Sequence, residues 1–331
     1  MSAVPGATQA VDFDCEGARL QGMLHAGSPQ AATGVLVVVG GPQYRVGSHR
    51  QFVLLGRALA AQGIPVLRFD YRGLGDSAGE ARTFESIDAD TRAALDEFFR
   101  RVPRLQRVVL WGLCDAASAA LFYAAQDPRV AGLVLLNPWV RSQQTVAQAY
   151  LRSYYARRIF DPQAWRQLLF GGKSPLAALG SFARLVRQAR GSSETGQADA
   201  ADVANSASSA DVASSSPLVQ GMQRGLAAFR GPILLVLSGD DITAAEFRAA
   251  TTSRLWRKLL EQPRVSHCAL DAADHTFSSR AWRDQVAGWT GEWLLRQWPL
   301  SEAGKDLSEA GKNLSEAGKD NNNDNSGANA A

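Results

Sequence analysis

With 35 Lys and Arg against 32 Asp and Glu in 331 residues, the chain carries a formal net charge of only +3. Its cations are scattered and mostly Arg, which leaves no basic block to grip nucleic acid or an anionic membrane surface. Three cysteines, Cys15, Cys114 and Cys268, are an odd number without metal-type spacing, so no metal site and no disulfide framework is indicated, and a reducing compartment fits.

In chain order, the start "MSAVPGATQAVDFDCEG" lacks a basic region followed by an apolar one, and no apolar run approaches the ~18 residues that a membrane span requires. A soluble, cytoplasmic protein is expected, with no membrane span. The next segment, "QAVDFDCEGARLQGMLHAG", alternates apolar and polar residues on either side of a Glu-Gly turn, the pattern of an antiparallel hairpin at a sheet edge. Short runs rich in Val, Leu and Ile then recur at 35–39, 65–69, 107–111, 132–136 and 232–237. Between the early runs, "HRQFVLLGRALAAQG" and "TFESIDADTRAALDEFFRRV" place apolar residues three and four apart, as helices do. Strands alternating with helices predict a parallel sheet covered on both faces.

The alternation breaks after Asn137-Pro138-Trp139. Residues 141–229 begin helical and aromatic and pass into a Ser, Ala, Gly and Asp stretch at about 191–217 with almost no large apolar residue. The expectation is a helical cap inserted into a core of residues 1–140 and 230–299, with a disordered loop inside the insertion. Residues 300–331 follow, starting with three copies of a seven-residue unit that begin at Leu300, Leu307 and Leu314. Each copy has one large apolar residue and a Gly, so a disordered tail is expected rather than a coiled coil.

Four pieces carry chemistry. The first is "VVLWGLCDAASAALFYAA", a strand running straight into a small-residue helix, with Cys114 at the turn between Gly112 and Ala116. That is where an exposed nucleophile sits on a sharp strand-to-helix turn. The second is His275, in a loop between the last strand and the closing helix and on the carboxyl edge of the sheet, where an imidazole can serve as general base. His267 falls inside a predicted strand and reads as structural. The third is a carboxylate to orient that base, in "LSGDDITAAEF" after the strand at 232–237. Asp241 is preferred to Asp240 because it lies further past the glycine, and Asp274, adjacent to His275, is weaker. Asp241 also suits a helix N-cap, since Asp before a helix caps well without any catalysis. The fourth is an oxyanion site built from backbone N–H groups: that of Asp115, and one from the loop Gly40-Gly41-Pro42-Gln43. Pro42 has no N–H, so the loop donor is Gly41 or Gln43, with Gln43 favoured. Tyr44, Trp139 and Tyr154 are candidates for the substrate wall; the aromatic run to which Tyr154 belongs suits plain cap packing equally.

The order Cys, Asp, His resembles that of the α/β-hydrolase superfamily, and "FDYRGLGDSAGE" resembles a segment of its serine-aminopeptidase-like and monoglyceride-lipase-like members. Taken together, "GGPQYRVGSHRQF", "DYRGLGDS", "WGLCDAAS", "LNPW", "LSGDDITAAEF" and "DHTFS" resemble the exosortase A system-associated hydrolase 1 family over roughly residues 10–297. The resemblance implies an α/β-hydrolase fold, a mostly parallel sheet of about eight strands with helices on both faces, and a cytoplasmic hydrolase encoded beside bacterial exosortase and exopolysaccharide functions. The chain departs from the general superfamily in Cys114 for the usual Ser, in Ala116 for the second Gly, and in Gly-Gly-Pro where His-Gly is common. Cysteine at this turn is also similar to the dienelactone hydrolases. The expected chemistry is cleavage of an ester, thioester or related acyl bond of a small molecule through an acyl-enzyme on Cys114, without a cofactor. Two alternatives stand beside it: acyl transfer by the same cysteine, and a non-catalytic hydrolase fold that binds a ligand or partner.

Overall fold

The computed structural model describes residues 7–41, 43–140 and 216–299. Tyr154, most of the insertion with its Ser-rich loop, and the tail at 300–331 lie outside the described residues.

The chain opens with β1 (Thr8–Cys15) and β2 (Ala18–His25), paired antiparallel around Glu16 and Gly17. Gly17 takes φ 81°, a left-handed conformation that glycine adopts without strain. Six further strands follow: β3 (Thr33–Val38), β4 (Val66–Asp70), β5 (Arg107–Leu113), β6 (Val130–Leu136), β7 (Ile233–Ser238) and β8 (Val265–Leu270). Together they form one eight-stranded sheet in the order β1-β2-β4-β3-β5-β6-β7-β8. β2 pairs antiparallel with β4, and from β4 to β8 every pairing is parallel. Each apolar run identified in the sequence is one of these central strands.

The runs are apolar throughout because both faces of the sheet are covered. Side chains alternate across a strand, so Leu36 and Val38 join Leu67, Phe69, Leu110, Leu133 and Leu135 on one face. Val35, Val37 and Val39 join Val109, Trp111, Val134, Leu136 and Val236 on the other. The first face is packed by α2 (Asp88–Arg101), α3 (Asp115–Tyr123) and α4 (Pro217–Ala228), the second by α1 (Gln51–Ala61) and α7 (Arg280–Gln297). On α1 the inward side chains are Phe52, Leu55 and Leu59, spaced three and four apart. Two shorter helices, α5 (Ile242–Ala250) and α6 (Arg254–Leu260), follow β7 and bury Phe247 and Trp256 against the first face.

One boundary differs from expectation. Residues 217–228, counted above with the insertion, form α4, which buries Val219, Met222 and Leu226 in the core beside α3. The glycine at 225 permits this approach, since a Cβ there would lie 2.2 Å from the Leu121 carbonyl oxygen. Among the described residues no helix is long and apolar enough to cross a membrane.

Candidate active site at the carboxyl edge of the sheet

The chain turns from β5 into α3 at Cys114, whose backbone has φ 63° and ψ −126°. A non-glycine residue there stores about 1–3 kcal/mol of strain, which its surroundings must over-determine. The Cys114 N–H donates to the Leu136 carbonyl at 2.9 Å, and its own carbonyl accepts from Trp139 at 3.2 Å and Ala117 at 3.1 Å. Space dictates the small neighbours: a Cβ on Gly112 would stand 2.6 Å from the Ala116 backbone. The sequence pattern around the cysteine is therefore the pattern that this turn can accommodate.

His275 stands in the loop between β8 and α7, and its Nδ1 lies 3.0 Å from Asp241 Oδ2. The Asp241 side chain is 5% exposed and that of His275 33%. Burial opposes a charge on the imidazole, but hydrogen bonds to Asp241 and Cys114 outweigh it and raise its pKa to about 10. The structure thus brings Cys114, His275 and Asp241 together.

Asp241 does two things at once. It is the N-cap of α5, accepting from the N–H groups of Thr243 at 3.1 Å and Ala244 at 3.0 Å, and it also accepts from the imidazole. The capping and orienting readings are thus compatible, since a carboxylate has lone pairs enough for both. Asp240, by contrast, is exposed. Asp274 serves its own loop, accepting from Thr276 N–H at 3.1 Å and Ser278 N–H at 3.0 Å.

Two residues that the sequence reading left without a role hold the histidine loop. Asn137, at φ 42° and fully buried, donates from Nδ2 to the His275 carbonyl at 3.1 Å and to Ser238 Oγ at 2.9 Å. Its Oδ1 accepts the Ser238 N–H at 2.8 Å, and Ser238 Oγ in turn donates to the Asp274 carbonyl at 2.9 Å. The only signal was an amide ending an apolar strand, in "VLLNPW", where a buried polar side chain needs partners.

The loop after β3 reaches the elbow through Gly41. Its N–H donates to Asp115 Oδ2 at 2.8 Å, while the Gln43 N–H folds back on the Gly40 carbonyl at 3.4 Å. Gly41, rather than the favoured Gln43, is therefore the donor directed at α3. Further along, Arg45 donates its backbone N–H to Asp70 Oδ1 at 2.6 Å and pairs through its guanidinium with Asp70 and with Asp76. The aspartates of "DYRGLGDS" thereby clamp the loop that carries Gly41. Tyr44 is 45% exposed on this loop, and Trp139 is half-buried beside the elbow.

A mostly parallel sheet in this strand order, with a strained residue at the tip of β5 and a His-Asp pair on the loops after β8 and β7, defines an α/β-hydrolase-fold enzyme. Comparison with known proteins agrees and narrows the class. Residues 30–270 match the family described as serine aminopeptidase, S33, and the chain belongs to that family. It is 30% identical over 146 residues to the quorum-quenching protein AidA of Acinetobacter baumannii (strain MDR-ZJ06), covering 42% of this chain and 46% of that protein. It is 34% identical over 88 residues to the polyketide transferase grgF of a Penicillium species, covering 24% of this chain and 29% of that one. The chain thus spans less than half the length of either curated relative. Among solved structures, the esterase Pf2001 of Pyrococcus furiosus superposes with a TM-score of 0.56 at 16% identity, covering 88% of this chain and 93% of that one, a likeness of fold.

Proposed function

We propose that the protein is a cytoplasmic hydrolase that cleaves an ester, thioester or related acyl bond of a small molecule through a covalent intermediate on Cys114. The observation that carries this reading is that Asp241 holds the His275 imidazole at 3.0 Å and that Cys114 is among the groups that raise that imidazole's pKa. In the proposed cycle the Cys114 thiolate adds to the acyl carbon, and the tetrahedral oxyanion takes backbone N–H donors from Asp115 and Gly41. The carbonyl re-forms, the bond to the leaving group breaks, and protonated His275 gives that group its proton. The neutral imidazole then takes a proton from water, whose oxygen attacks the thioester. The acid departs, and Cys114 leaves as thiolate beside imidazolium.

That all three cysteines are free supports a reducing compartment. The motif resemblance supports a role beside bacterial exosortase and exopolysaccharide functions. Acyl transfer is the second reading: a thioester intermediate exchanges readily with amines and thiols, and one relative is named a polyketide transferase.

The test is intact-mass spectrometry after incubation with a panel of activated esters and thioesters, run beside Cys114→Ala and His275→Ala. The expected result is one acyl adduct that maps to Cys114 and grows far more slowly without His275. Folded protein with no adduct at Cys114 across the panel would overturn the reading in favour of a non-catalytic binding role.

A further inference from the structure

We propose that the Asp115 carboxylate is a resident occupant of the oxyanion site, holding its Gly41 donor in the resting enzyme until the carbonyl oxygen of a substrate displaces it. This rests on the acyl-enzyme reading above. Asp115 Oδ2 accepts the Gly41 N–H at 2.8 Å, and Oδ1 accepts the Ala116 N–H at 2.9 Å. The loop is built around it: a Cβ on Gly40 would fall 1.9 Å from Oδ1, and Gly41 takes φ 59° beside it. Among the loop's other residues, Gln43 spends its N–H on a backbone carbonyl and Pro42 has none. An incoming carbonyl oxygen therefore finds the Gly41 N–H already taken by an anion.

An anion in that place opposes the reaction twice. It competes for the Gly41 donor, and its charge disfavours the negative oxygen that develops beside it. Its hold is not deep, because burial disfavours the charged carboxyl and counteracts the hydrogen bonds that favour it. Asp115 is also only half-buried. A substrate whose acyl group engages the rest of the crevice would supply the displacement, so the occupant favours acyl groups with many contacts over small ones.

The substitution Asp115→Asn keeps the backbone N–H and the side-chain shape while removing the charge, and Asp115→Ala removes the side-chain contacts altogether. Two rates at Cys114 are compared in each protein: acylation by p-nitrophenyl acetate, which develops an oxyanion, and alkylation by iodoacetamide, which does not. The expected result is that the ratio of acylation to alkylation rises on the order of tenfold in Asp115→Asn and in Asp115→Ala. Acylation seen only in the variants would support the proposal as well. A ratio unchanged or lowered in both would overturn it and leave Asp115 as a tether that positions the Gly41 loop. If no protein is acylated while iodoacetamide labels Cys114 in all of them, the acyl-enzyme reading falls, and this inference with it.

Discussion

Two histidines, His25 buried and His275 half-buried, are pushed in opposite directions by their surroundings. His25, at the end of β2, is desolvated and faces Arg68 and Arg57, and its pKa falls to about 4. It accepts from Arg68 Nε at 2.9 Å through Nε2, which leaves Nδ1 to donate to Thr8 Oγ1 at 3.1 Å. His275 is also desolvated, yet its neighbours are a carboxylate and a thiol, and its pKa rises to about 10. Desolvation is common to both, so the sign of the neighbouring charge decides which histidine is a neutral strut and which is ready to carry a proton.

The comparison can be broken most severely by removing the imidazole at the elbow. His275→Ala is expected to slow acylation of Cys114 by on the order of 10²–10⁴-fold, while His25→Ala affects folding stability rather than the chemistry. Stopped-flow acylation rates set beside denaturant melts separate the two. Asp241→Asn sharpens the contrast by keeping the α5 cap, since Asn caps nearly as well as Asp, while taking away the charge that holds the imidazole. Acylation is expected to fall by on the order of 10²–10⁴-fold, and stability should fall through loss of the charge facing His275 while the α5 cap is retained.

A smaller effect is expected one layer out. Asn137→Ala leaves the buried Ser238 N–H without its acceptor and the His275 loop without its donor. Stability should fall by about 2–3 kcal/mol, with slower acylation in the protein that remains folded. The effect of pH has opposite signs at the two sites. The raised His275 contributes stability that is complete below its unfolded pKa of about 6.5 and lost as pH climbs through about 10. The depressed His25 contributes stability that is present above 6.5 and lost as pH drops through about 4. Denaturant midpoints across this range should decline at both ends, with His275→Gln flattening only the alkaline side and His25→Gln only the acid side.

What could be read directly from the sequence was whatever local spacing controls. Runs of Val and Leu revealed strands buried on both faces, and Gly112, Cys114 and Ala116 revealed the elbow, because sterics at one turn dictate those residues. Asp241 was legible from its place past a glycine at a strand end. The Asn137 bracket was not, since its partners Ser238 and His275 lie 101 and 138 residues away and only the folded sheet brings them together. The clamp of Arg45 by Asp70 and Asp76 was hidden for the same reason, and α4 was obscured by the polar stretch before it. Gly41 was underrated against Gln43 because nothing local shows that the Gln43 N–H turns back on Gly40.

The most direct test is the pre-steady-state burst with a p-nitrophenyl ester, read alongside peptide mapping of the trapped acyl group. The expected result is a burst of about one equivalent per chain, with the acyl group on Cys114, absent in Cys114→Ala and slowed in His275→Ala. A burst that survives Cys114→Ala, or an acyl group mapped to any other residue, would contradict the assignment of Cys114 as nucleophile.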